Sequence, residues 1–276
     1  MASQIEPRSD VDPTRAMGFL ETLGFQSDVA DPVDGYLKSG VQALTDANWI
    51  DVTGFGNATG PLATPQVATN LFVSSSDSTD SNSFIQVEGT DLNGDFQKVL
   101  QRLNNGDGQT KTQIGFTAIP FKRISRLNEV SSFNHDVNQG TWYVYEDDTV
   151  TAGVPDTQAK IWSVILPEAG RDNNSIMTVP KDKRGLIVAN TVGGNVPGNN
   201  GLHYRLMIRP PGRQWKAVAV FSESGRKGSA VSEPTSPQVS FIPLIPNTDI
   251  RFQARADSSP SGTTVAETLS QYVFLD

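Results

Sequence analysis

Tyr204-Arg-Leu-Met-Ile-Arg209 and Asp249-Ile-Arg-Phe-Gln-Ala-Arg-Ala256 are the two stretches that decide the fold class of this chain. In each stretch one set of alternate positions is apolar, and the positions between them are mostly charged or polar. Because successive side chains of a β-strand point to opposite faces, this period of two predicts strands with one buried face.

The chain around these stretches repeats a pattern of short apolar runs and turns. Ile161-Trp-Ser-Val-Ile-Leu166 and Leu186-Ile-Val-Ala189 have the composition of core strands in a sandwich. Clusters of Gly, Asn and Pro separate such runs, at residues 104–108, 193–195, 197–201 and 210–212. Many short strands with turns between them predict an all-β fold, with a sandwich or jelly-roll-like body. The polar stretch Ser74–Ser83 is interpreted as a surface loop.

The first fifty residues have a different pattern. Asp12-Pro13 and Asp31-Pro32 each place an N-cap residue before a proline, and apolar residues follow at helical spacing. We therefore predict an N-terminal extended arm with two short helices over residues 1–48. Such short helices need a partner surface, which is either the chain's own β-body or, as we favour, another subunit. The predicted contact residues of the arm are Leu20, Leu23, Val33, Tyr36, Leu37, Val41 and Leu44. The β-body is predicted over residues 49–276, and a division into two subdomains near 190–200 stays open.

The composition narrows the class of function. Of the 276 residues, 37% are hydrophobic and 19% are charged, and the formal net charge is −8. Because an acidic surface repels phosphates, we expect no nucleic-acid partner. The chain has 0 cysteines, which excludes disulfides and Cys-type zinc sites. No apolar run reaches the length of a membrane span, and Met1–Glu6 lacks the pattern of a signal peptide. We therefore expect no membrane contact, and a chain that is made in a cytoplasm and leaves it only inside or upon a particle.

No motif in the sequence has the spacing of a catalytic or cofactor site. Gly54–Gly60 resembles a dinucleotide glycine pattern, but prolines interrupt the helix that should follow it. His135-Asp136 has no second histidine nearby and is interpreted as a turn. Asp91–Asp95 and Glu146–Asp148 are interpreted as polar turns, in preference to a calcium loop or a glycosidase pair. We therefore expect no catalysis, no cofactor and no metal.

Two further regions are candidates for binding. Lys181, Lys183 and Arg184 form a basic loop on an acidic chain, which suits contact with an acidic surface of a partner subunit. The region Trp142–Asp148 carries aromatic and acidic side chains that could bind a sugar, so a carbohydrate-binding β-domain is kept as an alternative function.

Several short motifs follow one another in a distinctive order over residues 84–190. They are Phe84–Asp91, Leu103-Asn-Asn-Gly106, Phe121-Lys-Arg-Ile124 with Arg126, Leu127 and Val130, then Asn138–Val144, Met177-Thr-Val-Pro180 and Gly185-Leu-Ile187. This order resembles a β-rich module in virion structural proteins of tailed bacteriophages, especially those of marine bacteria and cyanobacteria. The chain departs from that module at Thr178–Gly185, where the family has a TVPAGK loop.

The resemblance implies a subunit of the capsid or the tail, with no catalytic residues to carry over. Together with the predicted arm, it favours a capsid decoration or cement protein that stabilises the head. Its expected partners are the major capsid protein or other virion subunits, and we expect a homo-oligomer. The resemblance also implies that the protein is located in the virion and is made in the host bacterial cytoplasm. A tail-associated structural protein (an adaptor, nozzle or fibre base) is the alternative within the same particle.

Overall fold

β-Strands supply almost all of the regular structure. The computed structural model describes residues 34–44, 47–53, 69–115, 120–131, 137–172, 174–195, 201–224, 238–257 and 264–275. The strands are β1 (Asp34–Leu44), β2 (Ile50–Asp51), β3 (Leu71–Ser75), β4 (Phe84–Thr90), β5 (Phe96–Arg102), β6 (Thr112–Gln113), β7 (Arg123–Ser131), β8 (Trp142–Glu146), β9 (Val150–Thr151), β10 (Val154–Pro155), β11 (Ile161–Ile165), β12 (Met177–Thr178), β13 (Arg184–Asn195), β14 (Gly201–Arg209), β15 (Lys216–Ser224), β16 (Gln238–Leu244), β17 (Asp249–Ala256) and β18 (Thr264–Leu275). The helical elements in this part of the chain are two short 3-10 turns, Ser78–Asp80 and Gln158–Lys160, and none is long and apolar enough to cross a membrane. The predicted all-β class is confirmed.

The described residues between 69 and 172 form what we call the central body. One of its antiparallel sheets has the strand order β11-β8-β3-β6, and the other has the order β5-β4-β7. Side chains from both sheets form a single hydrophobic cluster, in which Trp142, Phe121 and Leu127 are fully buried. The short strands β9 and β10 form a separate hairpin.

The described residues on either side of the central body, within 34–53 and 174–275, form what we call the flanking body. Its sheets have the orders β1-β18-β13-β16 and β12-β17-β14-β15, and β2 pairs with β17. The two stretches that predicted the fold are direct neighbours, since β14 pairs with β17 from Leu202↔Ala256 to Arg209↔Asp249. The possible subdomain boundary near 190–200 falls at the end of β13, before β14 begins at Gly201, and both strands contribute side chains to the same hydrophobic cluster.

The second helix predicted in the arm is wrong. Asp34–Leu44 is the strand β1, which pairs with β18 over its whole length, from Asp34↔Phe274 to Leu44↔Thr264. Glycine lowers helix stability by about 1 kcal/mol per residue relative to alanine, and this segment contains Gly35 and Gly40. A partner strand that pairs with every residue of β1 supplies the backbone hydrogen bonds that a helix would have made internally. The first predicted helix, with Leu20 and Leu23, lies outside the described residues, and so does Val33 of the second.

The polar stretch Ser74–Ser83 is only partly a surface loop. Its first residues belong to β3, and Ser74, Ser75, Asp80 and Ser83 are each 0% exposed. The Asp80 carboxylate accepts hydrogen bonds from Ser75 Oγ (2.5 Å), the backbone nitrogens of Gln139 (2.8 Å) and Gly140 (2.9 Å), and Trp142 Nε1 (2.8 Å). Four hydrogen-bond donors replace the water that the Asp80 carboxylate loses on burial. Part of this polar stretch therefore forms a buried hydrogen-bond network in the central body.

Candidate contact surfaces and the junction between the two bodies

A buried ion pair joins the central body to the flanking body. Arg123 lies on β7, Asp249 begins β17, and their side chains are 2% and 10% exposed. Nε of Arg123 contacts Oδ1 of Asp249 at 3.0 Å, and Nη2 contacts Oδ2 at 3.2 Å. This two-point geometry fixes the direction of the guanidinium as well as its distance.

Two further side chains complete the shell of the Asp249 carboxylate. Thr178 Oγ1 donates to Oδ1 at 2.7 Å, and Arg209 donates to Oδ2 from Nε at 3.0 Å and from Nη2 at 2.6 Å. Burial raises the pKa of Asp249, but the charge and hydrogen bonds of Arg123, with those of Thr178 and Arg209, outweigh burial and hold this pKa below its usual range. The carboxylate is therefore charged at neutral pH and acts as a fixed point of the junction.

The junction lies beside a cleft of about 550 Å³. The β14–β15 turn forms one wall, where Arg213 N donates to Pro210 O at 3.0 Å and Gly212 has a φ of 68°. Proline followed by glycine with positive φ is the signature of a type II turn. The lining residues are Thr90, Lys122, Arg123, Thr178, Arg209, Pro210, Pro211, Gly212, Arg213, Asn247 and Asp249.

Arginines on the outer face of the β14–β17 pair are stacked on two tryptophans. Trp215 has the guanidinium carbons of Arg209 and Arg251 at 4.7 Å and 4.2 Å from its ring centroid. Trp49 has those of Arg205 and Arg255 at 4.4 Å and 5.0 Å. The charged positions in the two opening stretches thus form an ordered layer instead of mobile solvated charges, since an aromatic face attracts a guanidinium.

The outer face of β5 is the main exposed apolar surface. Among the described residues, Leu92, Phe96, Leu100 and Val130 are 51%, 45%, 56% and 52% exposed, and all four lie on or beside the β5-β4-β7 sheet. Phe96 and Leu100 share the outward side of β5 with Lys98 and Arg102, while Val99 points into the core. β5 is also one of the two edge strands of this sheet. We call the outward side chains of Phe96, Lys98, Leu100 and Arg102 the β5 face.

The contact residues predicted from the sequence have different placements. Leu44 is 3% exposed and belongs to the core of the flanking body, so this side chain uses the chain's own β-body as its partner. Tyr36, Leu37 and Val41 lie on β1, which is paired with β18. In the basic loop, Lys181 pairs with Asp95 at 2.6 Å, and Arg184 begins β13 at the surface. The intersubunit role does not fit the buried Leu44, and for the other residues it stays a prediction.

The region proposed for sugar stacking is largely internal. Trp142 and Tyr145 are both 0% exposed, so neither ring offers a platform to a ligand. Burial raises the pKa of Tyr145 to about 12, which is the behaviour of a phenol inside a core. Asp147 and Asp148 pair with Lys111 at 2.6 Å and with Lys160 at 3.0 Å. Of the three aromatic residues in this region, only Tyr143 is partly exposed, so no strip of stacked rings is available to a sugar.

The acidic stretch at residues 91–95 has the geometry of a polar turn, as the sequence predicts. Asp91 Oδ1 accepts hydrogen bonds from the backbone nitrogens of Asn93 and Asp95 at 2.8 Å and 2.9 Å, and Gly94 has a φ of 84°. Among the described residues, no group of three or more His, Cys, Asp or Glu side chains is placed to hold a metal ion. His135 and Gly54–Gly60 lie outside the described residues.

His203 has neighbours that the sequence did not indicate. Its Nδ1 lies 2.9 Å from Ser222 Oγ, and its Nε2 contacts Asp257 Oδ1. The contact with Ser222 follows from the direct pairing of these residues on β14 and β15. The Asp257 side chain is 50% exposed, so the trio is a solvated cross-strand cluster, in contrast to a nucleophile site in which the carboxylate is buried.

Comparison with known proteins gives only weak likenesses. No protein-family model matches the chain, and no curated protein matches it. Among solved structures, the infectious bursal disease virus Gx strain aligns with a TM-score of 0.26 and 11% identity over 90% of this chain and 73% of that one. The Gt strain aligns with a TM-score of 0.24 and 10% identity over the same shares, and the VP2 subviral particle of this virus does so with 0.24 and 9%. These values leave the function of the chain to be argued from its own residues, and the relation to tailed bacteriophages stays a prediction.

Proposed function

We propose that this protein is a structural subunit of a virus particle that acts by contact with other subunits, without catalysis and without a cofactor. Within that class we propose a decoration or cement protein on the head of a tailed bacteriophage. The observation that carries the proposal is the β5 face, an apolar and cationic surface on an edge strand of a net acidic protein. The order of motifs over residues 84–190 gives the particle its proposed identity.

The chemistry of the β5 face defines the partner surface. Full burial of a fully exposed Phe or Leu side chain contributes about 1.5–3 kcal/mol. Because Phe96 and Leu100 are 45% and 56% exposed, roughly half of that amount is available from each of them in a complex. Arg102 on the same face is cationic, whereas Lys98 is already paired with Glu88 at 3.5 Å. A neighbouring subunit with an acidic rim around an apolar centre therefore matches this face.

The face is tested by binding of the purified full chain to particles that lack it. In the double variant Phe96→Ser with Leu100→Ser, we expect at least about tenfold weaker co-sedimentation with particles, because two apolar anchors are lost. The matched control is Val220→Ser, which removes an apolar side chain that is 65% exposed on β15 of the other body. Binding unchanged in the double variant, or reduced equally in the control, would refute the role of the β5 face.

Placement on the head or the tail is decided by copy number. Gel densitometry of purified particles should give on the order of hundreds of copies for a decoration protein, which covers the faces of a symmetric shell. A count of tens or fewer would instead indicate the adaptor, nozzle or fibre-base alternative.

The arm is tested by truncation at a boundary set by β1. Deletion of residues 1–33 leaves β1 in its sheet, whereas deletion of residues 1–48 removes the whole strand that pairs with β18. If the arm binds a neighbouring subunit, the shorter deletion should keep the melting temperature of the protein and lose affinity for particles. Full particle binding after this deletion would rule out the arm as a contact.

A further inference from the structure

The cleft at the junction of the two bodies has an excess of positive charge. Four cationic side chains line it, Lys122, Arg123, Arg209 and Arg213, against the single carboxylate of Asp249, which leaves three positive charges in excess. The whole chain, in contrast, has a net charge of −8. Charge of one sign in a cleft with low-dielectric walls concentrates the electrostatic field and attracts ions of the opposite sign.

The cationic groups of this cleft divide into two kinds. Arg123 and Arg209 are held by Asp249, so they are fixed in position and form the wall. Lys122 and Arg213 have no acidic partner among the residues that the structure describes. Guanidinium and ammonium groups that are not paired with a carboxylate are the side-chain groups that bind phosphate oxygens in proteins.

A buried hydroxyl supplies a second, independent observation. Thr90 is 1% exposed and lines the cleft, and its Oγ1 has no hydrogen-bond partner among the described residues. A buried hydroxyl without a partner is costly, and a ligand oxygen in the cleft would satisfy it. Thr90 also sits next to the cationic wall, because its carbonyl oxygen accepts from Lys122 N at 2.7 Å.

We propose that this cleft is a binding site for a phosphate group, held by Lys122 and Arg213 at the mouth and by the Thr90 hydroxyl at the wall. The pair of Arg123 and Asp249 stays in place as part of the rigid wall. The volume of about 550 Å³ exceeds that of a phosphate ion and lies in the range of small-molecule sites, so the cleft has room for a small phosphate ester as well as for the free ion.

The test uses the full chain and two probes, inorganic phosphate and ribose 5-phosphate. Isothermal titration calorimetry at constant ionic strength, with chloride as the reference salt, should show saturable binding of at least one probe. Tighter binding of ribose 5-phosphate would identify an ester as the preferred form, and equal or tighter binding of inorganic phosphate would identify the free ion. No saturable heat with either probe would overturn the proposal.

Two variants assign the binding to this cleft. In the double variant Lys122→Ala with Arg213→Ala, we expect the dissociation constant to rise at least about tenfold, while the buried ion pair and the melting temperature without ligand are retained. Thr90→Val, which keeps the shape and removes the hydroxyl, should weaken binding by a smaller factor. The matched control is Lys111→Ala with Lys160→Ala, which removes two cationic groups beside Asp147 and Asp148. Equal weakening in the control, or unchanged binding in Lys122→Ala with Arg213→Ala, would show that phosphate binds elsewhere and would refute the site.

Discussion

Arg123 and Asp249 form a buried two-point ion pair between β7 of the central body and β17 of the flanking body. The two residues are 126 positions apart in the chain, so the pair forms only when both bodies are folded and docked. Arg123 Nη1 also donates to its neighbour's carbonyl, Lys122 O, at 2.7 Å. A buried charge that is held from several directions is costly to disturb, and this makes the pair a test of how firmly the two bodies are joined.

Loss of the carboxylate should destabilise the protein strongly. In Asp249→Ala, Arg123 stays buried without its partner, so we expect the free energy of unfolding to fall by about 3–5 kcal/mol. Chemical denaturation followed by tryptophan fluorescence measures this change. The control is Asp147→Ala, whose side chain is 75% exposed and pairs with Lys111; its loss should cost under about 1 kcal/mol. If the free energy of unfolding fell as little in Asp249→Ala as in Asp147→Ala, the junction would contribute little to stability.

The same carboxyl predicts a dependence of stability on acid. The pKa of Asp249 is lowered in the folded protein, because its three partners outweigh the opposing effect of burial. A carboxyl with a depressed folded pKa stabilises the protein above its unfolded pKa of about 4, and this contribution is lost as the pH falls through the folded value. Unfolding free energies measured from pH 6 downwards should therefore drop more steeply below about pH 4 in the wild type than in Asp249→Asn. Parallel curves for the two proteins would contradict this account.

The buried carboxylate of Asp80 gives a prediction inside the central body. Asp80→Ala leaves four donors without their acceptor, two of them on the backbone of Gln139 and Gly140, and we expect a loss of about 3 kcal/mol or more in the free energy of unfolding. Asp77 in the same loop accepts from Thr79 N at 2.8 Å and caps a short 3-10 turn. Asp77→Ala should therefore cost only about 1 kcal/mol, and thermal denaturation of the pair of variants compares the two.

The contrast between Asp80 and Asp77 shows where sequence patterns stop being informative. The alternation of apolar and polar residues along β14 and β17 predicts both strands, because burial of one face of a strand gives the sequence a period of two residues. Asp80 lies in a run of Ser and Asp that looks uniformly solvated, and its burial depends on Trp142, a residue 62 positions away. For the same reason the β1 segment was misassigned: its apolar spacing fits a helix, and the deciding factor is a partner strand near the other end of the chain.

The candidate sites also depend on contacts between residues that are far apart in the chain. Arg209 could be recognised as part of a basic group from its sequence, but its shared partner Asp249 and the nearby Arg123 could not, since each lies on a different strand. The β5 face was likewise hidden, because an outward Phe96 or Leu100 resembles a core residue until the core side of the strand is known. A sequence pattern assigns charged residues to the surface and apolar residues to the core. The buried pair of Arg123 and Asp249 and the exposed β5 face are exceptions to this pattern, and the proposals rest on these two exceptions.

Two glycines with similar backbone angles should respond very differently to a methyl group. Gly153 has a φ of 76° in the two-residue turn between β9 and β10, and Gly212 has a φ of 68° in the turn between β14 and β15. A Cβ at Gly153 would overlap the backbone oxygen of Ser75, whereas nothing lies within 4 Å of one at Gly212. Both alanine variants incur the cost of about 1–2 kcal/mol for a left-handed backbone, and only Gly153→Ala adds a clash with a neighbouring strand.

Differential scanning calorimetry should therefore show a much larger fall in melting temperature for Gly153→Ala than for Gly212→Ala. The clash also threatens the hydrogen bond of 2.7 Å from Ser74 Oγ to Gly153 O, which ties the hairpin to β3. We expect Gly153→Ala to expose the hairpin to limited proteolysis near Val150–Pro155, because a hairpin of two short strands is marginal without such a tie. Equal melting temperatures and equal protease resistance in the two variants would show that the hairpin is not held against β3.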